Sequence, residues 1–291
     1  MISFKNKLIQ NLKQRINKSI SILDLIYIFK DSLSKHKQLE KSYSEFHVKK
    51  EISNNLFLIL NLKNEIEDNI YYDKYELHIY NFIKSYVKQN MNIIIVGGHI
   101  GYYPILLSEL ILPNGKVYSF EPDQENYSRC SQHIYLNKIN NIVNLNYSIS
   151  NIENDNVDFY EFKDSNKGHG SIFKNEFINK SKSRNYEIKK VKTRTLDQII
   201  FGENLANIDL LLIDIEGAEY ECLEGAKNTL DKYKPLIIFE YHYERIDFLK
   251  KDHEKIFQLL SSYNLYGINM NGLKKLNKIE KDQNFHDIVN T

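Results

Sequence analysis

The segment from Asn92 to Leu110 constrains the fold more than any other part of this chain. It opens with Ile93 to Val96, a short β-branched apolar run of the kind found in strands buried on both faces of a parallel sheet. Gly97, Gly98 and Gly101 follow, and apolar residues then recur at helical spacing. Strand, glycine turn and helix in this order predict the start of an α/β nucleotide-binding domain.

The next predicted strand, Lys116 to Phe120, ends in an acidic residue, Glu121. A carboxylate at this position, roughly 20 residues beyond the glycines, accepts hydrogen bonds from a ribose hydroxyl pair in such domains. The pattern therefore favours a nucleoside-containing ligand over a bare tight turn. The spacing is G-G-x-x-G, which differs from the G-x-G-x-x-G of nicotinamide and flavin domains.

Strands and helices alternate up to Ile142–Tyr147, as expected for a doubly wound parallel sheet. Two short strands are predicted within residues 46–61, followed by a helix from Tyr71 to Gln89. Val157–Phe162 and Glu187–Thr193 are predicted strands joined by a long polar loop. Thr195 is the predicted N-cap of the helix that follows.

A second acidic position follows the buried strand Leu210–Ile213. Asp214 stands where that strand ends, at the edge that forms the ligand crevice of an open α/β sheet. Glu219 is interpreted as a helix N-terminal charge. The last parallel strand, Leu236–Glu240, is followed by His242, an imidazole that could remove a substrate proton. Asn271-Gly272 then predicts a terminal antiparallel hairpin.

Composition excludes several classes of protein. The formal net charge of +1 gives no electrostatic argument for a nucleic-acid partner. Two cysteines without metal-site spacing, and no visible secretory signal, predict a reduced, cytoplasmic protein. Residues 1–45 are predicted to form a helical extension with one basic amphipathic helix. This helix either packs on the catalytic domain or on a second subunit, which is the favoured interpretation, or lies on an anionic membrane surface.

Several ordered motifs between residues 46 and 245 together resemble the FkbM family of S-adenosylmethionine-dependent methyltransferases. The matching segments are Tyr75-Glu76, Gly97 and Gly101 with Tyr102-Tyr103, Glu121-Pro122-Asp123, Asn137, Thr195-Leu196-Asp197, Ile208-Asp209, Asp214-Ile215-Glu216-Gly217-Ala218-Glu219, and Glu240 with His242. The resemblance implies a Rossmann-like class I methyltransferase fold over residues 46–291, with a mostly parallel seven-stranded sheet and an antiparallel last strand. It also implies methyl transfer, usually to a hydroxyl oxygen.

The same resemblance assigns roles to particular residues. The residues expected to contact the S-adenosylmethionine cofactor are Gly97, Gly98, His99, Gly101, Glu121, Ser148 and Asp214. Asp214 and Glu216 would border the reacting methyl group, and His242 is the first candidate for the general base, with Asp214 the second. No metal ion is expected, although Asp214, Glu240 and His242 could converge as oxygen and nitrogen ligands.

Two departures from the family pattern keep another class of function open. Ile95 stands where the family usually has an acidic residue, and Leu212 replaces a lysine. Ile95 cannot accept a hydrogen bond from a cofactor amino group. The leading hypothesis is an O-methyltransferase for a carbohydrate-like or small acceptor, for instance in polysaccharide biosynthesis. The alternatives are a degenerate fold acting as a binding or assembly module and, third, a nicotinamide dehydrogenase.

Overall fold

A computed structural model describes residues 47–162, 170–172, 186–203, 205–241, 253–269, 272–276 and 287–290. The chain divides into two units, Met1–His47 and Val48–Thr291, and nearly all the described residues belong to the second. The helical extension predicted over residues 1–45 lies outside the described residues. Within them, no helix combines the length and apolarity needed to cross a bilayer.

The described residues alternate between strands and helices along most of the chain. The strands are β1 (His47–Ser53), β2 (Leu56–Asn61), β3 (Ile93–Val96), β4 (Val117–Phe120), β5 (Ile142–Leu145), β6 (Ser148–Ile149), β7 (Asn154–Phe162), β8 (Gly170–Ser171), β9 (Tyr186–Arg194), β10 (Leu210–Ile213), β11 (Leu236–Glu240), β12 (Leu265–Asn269), β13 (Gly272–Lys275) and β14 (Asp287–Asn290). The helices are α1 (Glu65–Tyr71), α2 (Leu77–Tyr86), α3 (Tyr102–Leu110), α4 (Gln124–Leu136), α5 (Leu196–Glu203), α6 (Glu219–Glu224), α7 (Lys227–Tyr233) and α8 (His253–Leu259).

The main sheet has the order β13-β12-β14-β11-β10-β3-β4-β5. Its five strands from β11 to β5 are parallel, whereas β14, β12 and β13 pair antiparallel. The α/β class and the predicted parallel strands are thus confirmed, and β12 and β13 form the expected antiparallel pair. The family resemblance implies seven strands with an antiparallel last strand, and the last strand, β14, does pair antiparallel with both β11 and β12, so β12 runs parallel to β11. The described strands of this sheet number eight because β13 adds to the edge beside β12.

Helices cover both faces of the main sheet, which explains why its central strands are continuously apolar. Ile94 and Val96 of β3 point to one face, where they join a buried cluster that includes Cys222 of α6. Ile93 and Ile95 point to the opposite face and pack with Ile79 and Ile83 of α2. The side chain of Ile95 is 2% exposed, so this residue belongs to the apolar core.

A second, four-stranded sheet has the order β6-β9-β7-β8. Its long antiparallel pair, β7 with β9, confirms the two strands predicted on either side of the polar loop. Residues 163–169 and 173–185 of that loop lie outside the described residues. At the end of β9, Thr195 caps α5 as predicted, accepting a hydrogen bond from the Gln198 N–H at 3.2 Å.

The segment before the glycine strand differs from the prediction. The two short strands are present, joined at Asn55, whose φ is 61°. The predicted helix from Tyr71 to Gln89, however, is confined to α2, and the separate helix α1 precedes it. Positive φ angles at Asp73 (54°) and Glu76 (40°) separate the two helices, since left-handed residues cannot continue a right-handed helix.

Candidate active site

A cleft opens at the carboxyl ends of β3, β4, β10 and β11. The chain proceeds from β3 towards β4 on one side and from β10 towards β11 on the other, so the strand order reverses between β3 and β10. Ligands bind at such a reversal in open α/β sheets. The cleft is lined by most of the residues predicted to form the site, namely Gly97, Gly98, His99, Glu121, Ser148, Asp214 and Glu216.

Two predicted site residues are not among the lining residues. Gly101 is the N-cap of α3, with a φ of 97°, and it packs against Cys130 of α4. His242, the predicted general base, lies outside the described residues. Glu219, which the sequence analysis interpreted as a helix-terminal charge, accepts a hydrogen bond from the Gly217 N–H at 3.1 Å and is 1% exposed.

The glycine turn needs glycine for its own packing. A Cβ on Gly97 would lie 1.9 Å from the Asp214 carbonyl oxygen, and one on Gly98 would lie 2.1 Å from Ser119 Oγ. The N–H groups of both glycines donate to the Phe120 carbonyl oxygen at 2.9 Å. The turn thus packs closely against the ends of β4 and β10, and its backbone lines the cleft.

Glu121 is held in place at the end of β4 by the backbone. Its Oε2 accepts from the His99 N–H at 2.8 Å, and its Oε1 accepts from the Asp123 N–H at 2.9 Å. Burial raises the pKa of Glu121 to about 8, and the charges of Asp123 and Glu161 act in the same direction against these two hydrogen bonds. Each carboxylate oxygen retains acceptor capacity for a ligand hydroxyl.

Behind Glu121, an ionic cluster joins the two sheets. The Lys189 ammonium of β9 contacts both Asp123, at the N-cap of α4, and Glu161 of β7. The side chains of Asp123 and Glu161 are 1% and 6% exposed. Burial lowers the pKa of Lys189, but hydrogen bonds and charges from both carboxylates outweigh it and raise the pKa above its ordinary value. We call this group, with Glu121, the Glu121 end of the cleft.

A different set of polar side chains occupies the opposite end of the cleft, towards β10 and β11. The Tyr103 hydroxyl donates to Glu76 Oε2 at 2.7 Å. Burial, followed by the charges of Glu76 and Asp214, holds the pKa of Tyr75 well above its ordinary value. Burial and the charge of Glu76 do the same for Tyr103, so both phenols keep their protons and act as donors.

Three more carboxylates lie at this end, which we call the Glu76 end. One carboxylate oxygen each from Asp214, Glu216 and Glu240 lies within 4.8 Å of the others. Such proximity alone does not make a metal site. Glu76, His99 and Glu216 all line the cleft with positive φ, between 40° and 58°. Left-handed backbone at non-glycine residues is costly and clusters at functional sites.

Several residues that line the cleft or lie directly behind it have no predicted role in the sequence. The pair Tyr75-Glu76 was noted as a family segment, but no role followed from it. Asp123, Glu161 and Lys189 were not predicted as site residues at all. Glu161 and Lys189 come together through the pairing of β7 with β9, and Asp123 meets Lys189 from the N-cap of α4. These long-range contacts leave no local signature in the sequence.

The strand order, the glycine turn and the acidic strand ends together define a Rossmann-like class I methyltransferase. Residues 96–265, more than half of the chain, match the family model described as the methyltransferase FkbM domain. The chain belongs to the FkbM methyltransferase family, and the predicted family is confirmed. S-adenosylmethionine is accordingly its methyl-donating cofactor.

Solved structures give weaker likenesses. The FkbM methyltransferase of Methylobacillus flagellatus is 16% identical with a TM-score of 0.43, covering 69% of this chain and 43% of that one. A Streptococcus mutans methyltransferase in complex with SAH is 12% identical with a TM-score of 0.38, covering 73% and 94%. A SAM-dependent O-methyltransferase of Thermotoga maritima is 12% identical with a TM-score of 0.39, covering 80% and 72%.

The chain therefore spans less than half the length of the Methylobacillus flagellatus protein. No curated protein sequence matches it.

The side chains of the cleft fit S-adenosylmethionine by the chemistry of their donors and acceptors. That cofactor has a nucleoside at one end and a sulfonium with an α-amino acid at the other. Glu121 offers carboxylate acceptors for a ribose diol, and the Glu76 end offers carboxylates for positive charge. Among the described residues that line the cleft, none is a lysine or an arginine, and the Lys189 ammonium behind Glu121 is paired with Asp123 and Glu161.

Proposed function

We propose that this protein transfers a methyl group from S-adenosylmethionine to a hydroxyl oxygen of a small or carbohydrate-like acceptor. The observation that carries the proposal is the convergence of the glycine turn, Glu121 and Asp214 at the strand-order reversal. The hydroxyl acceptor and its carbohydrate character rest on the family resemblance.

In this proposal the two ends of the cleft have separate tasks. Glu121 holds the ribose hydroxyl pair, because its carboxylate is already oriented by the His99 and Asp123 N–H groups. The glycine turn allows the methionine part to lie against the backbone. When bound, the cofactor supplies a methyl group already activated on a sulfonium.

The protein must also position the acceptor and receive its proton. The bound cofactor would supply the methyl group and keep the electron pair of the broken carbon–sulfur bond on its sulfur, so that the acceptor oxygen would have one proton to lose to the protein. Asp214, at the end of β10, is a candidate to take that proton, and His242 is the other. Glu216 lies beside Asp214 and borders the same space.

Calorimetric titration with S-adenosylmethionine tests the cofactor site. The unmodified protein is expected to bind, and Glu121→Gln is expected to weaken binding by roughly 10- to 100-fold because a charged hydrogen-bond acceptor is lost. Glu125→Gln, in the exposed first turn of α4, is the matched control and should bind normally. Absence of binding by folded, unmodified protein would favour the alternative of a non-catalytic binding or assembly module.

Acceptor screening follows once binding is established. Transfer of label from methyl-labelled S-adenosylmethionine to a panel of sugars and small alcohols should give a product whose methyl group is on oxygen. Asp214→Asn should slow transfer more than it weakens cofactor binding if Asp214 receives the proton. Labelling of amines or thiols in place of alcohols would contradict the hydroxyl acceptor.

A further inference from the structure

Ile95 stands where the family usually has an acidic residue, so the first strand motif offers no hydrogen-bond acceptor for the amino-acid part of the cofactor. The carboxylate of Glu76 lies on the same side of the sheet as Ile95. Ile95 is the last residue of β3 whose side chain points to the α2 face of the sheet, and it packs there with Ile79. Glu76 immediately precedes α2, three residues before Ile79, and both residues line the cleft with Ile95. The chain thus brings a carboxylate to the side of β3 where Ile95 has none.

The conformation of Glu76 directs its side chain away from its own helix. Glu76 is the N-cap of α2, yet its carboxylate makes no capping hydrogen bond. Its backbone is left-handed, with φ 40° and ψ 42°. The carboxylate instead accepts from the Tyr103 hydroxyl, and Tyr103 belongs to the first turn of the helix that follows the glycine turn. The side chain is therefore fixed to a helix whose first turn lines the cleft.

Three tyrosine side chains line the cleft beside this carboxylate. Tyr75, Tyr102 and Tyr103 contact one another, with ring centroids 5.3 to 6.4 Å apart. Their rings are attracted to cations through the quadrupole of the π-system. A carboxylate beside aromatic rings is a suitable environment for an organic cation. The Glu76 carboxylate is hydrogen-bonded by the hydroxyls of both Tyr103 and Tyr75, and a carboxylate with two such donors still has lone pairs for an ammonium group.

We propose that Glu76, oriented by Tyr103, binds the α-ammonium group of S-adenosylmethionine in place of the acceptor that Ile95 cannot provide. This assignment rests on the proposed function. It also agrees with the layout of the sheet, because β4 and β10 lie on either side of β3, about 10 Å apart at the usual strand spacing. Glu121 at the end of β4 and the carboxylates next to β10 can thus contact opposite ends of one extended cofactor.

The test compares two ligands that differ at the amino-acid end. S-adenosylhomocysteine carries the α-ammonium, whereas 5′-methylthioadenosine has the same nucleoside and lacks the amino acid. Glu76→Gln should weaken S-adenosylhomocysteine binding by roughly 10- to 100-fold, the range for a hydrogen bond to a charged group. Binding of 5′-methylthioadenosine should change by less than about twofold, since it makes no such bond.

Further variants separate this proposal from the others. Tyr103→Phe should weaken S-adenosylhomocysteine binding by a smaller factor than Glu76→Gln, because the carboxylate is retained and loses one of the hydrogen bonds that orient it. Glu121→Gln should weaken both ligands alike. A Glu76→Gln variant that binds both ligands normally, or weakens both equally, would overturn the role of Glu76. Failure of the unmodified protein to bind either ligand would instead overturn the proposed function.

One measurement does not depend on whether the variants fold. The unmodified protein should bind S-adenosylhomocysteine at least tenfold more tightly than its deaminated analogue, in which hydrogen replaces the α-amino group. Equal affinities for the two compounds would contradict the proposal even if every variant were unstable.

Discussion

The two ends of the cleft differ in how their negative charge is balanced. At the Glu121 end, Lys189 contacts Asp123 and Glu161, and backbone N–H groups bind Glu121. At the Glu76 end, four carboxylates are accompanied by tyrosine hydroxyls, and the described lining residues include no lysine or arginine. We infer that the protein neutralises the Glu121 end itself, whereas a bound ligand contributes positive charge at the Glu76 end.

The largest expected effect is at Lys189. Lys189→Met leaves Asp123 and Glu161 as neighbouring buried charges, so it should lower the free energy of unfolding by about 2–4 kcal/mol. Lys190→Met is the matched control, since Lys190 pairs with Asp158 on the surface, where such pairs contribute about 0–1 kcal/mol. Denaturant unfolding of both variants measures the difference, and equal losses would show that the Glu121 end is not held by this ion cluster.

The next effect concerns pH at Glu121. Its pKa is raised to about 8 by burial, so the ligand-free protein holds a proton there at neutral pH. If the ribose hydroxyls bind the ionised form, S-adenosylhomocysteine affinity should rise as pH increases to about 8 and level off above it, with a limit of roughly tenfold per pH unit. Calorimetry in buffers of different ionisation enthalpy should show proton release near pH 7.

The same shift has a consequence for stability. A carboxyl whose pKa is higher in the folded than in the unfolded protein stabilises the fold most at low pH, and this contribution is lost as pH rises through about 8. Glu121→Gln should therefore flatten the pH dependence of both ligand affinity and unfolding. An unchanged profile in that variant would assign the titration to another group.

The smallest expected effect is a change in the free energy of unfolding when one carboxylate is removed, and this change should have opposite signs at the two ends of the cleft. Asp214→Asn removes one of three close carboxylates, so the ligand-free protein should become more stable by roughly 0.5–1 kcal/mol as like-charge repulsion falls. Asp123→Asn removes a carboxylate that contacts Lys189 and caps α4, and should destabilise it. Thermal unfolding without ligand measures both, and destabilisation by Asp214→Asn would indicate that the Glu76 end is also neutralised internally.

The sequence predicted the Glu121 end better than the Glu76 end for a physical reason. The glycine turn and Glu121 belong to one βαβ unit, whose strand and turn signals are local. The carboxylate set at the other end comes from residues as distant as Glu76 and Glu240, and only the assembled sheet brings them together. The sequence shows Ile95 in place of a carboxylate, whereas Glu76, its proposed replacement, comes near Ile95 only because α2 begins at Leu77.

The strands also differ in whether local sequence signals are enough to predict them. Central strands such as β3 and β10 were predicted because both of their faces are buried, which leaves continuous apolar runs. The insertion of β14 between β11 and β12 depends on pairing between segments distant in the chain, and the sequence pattern did not predict it. Lys189 looked like an ordinary strand lysine, because its contacts lie on β7 and α4.

The two buried cysteines provide a measure of local opening of the protein, because their thiols react only when they become exposed. Cys130 lies beneath the glycine turn, and burial raises its pKa to about 12; burial also raises the pKa of Cys222. Alkylating reagents react with thiolates, so neither cysteine should be modified while its surroundings stay closed. The rate of alkylation at Cys130 therefore reports how often the glycine turn separates from α4. A ligand bound across that turn should lower the alkylation rate at Cys130 more than the alkylation rate at Cys222.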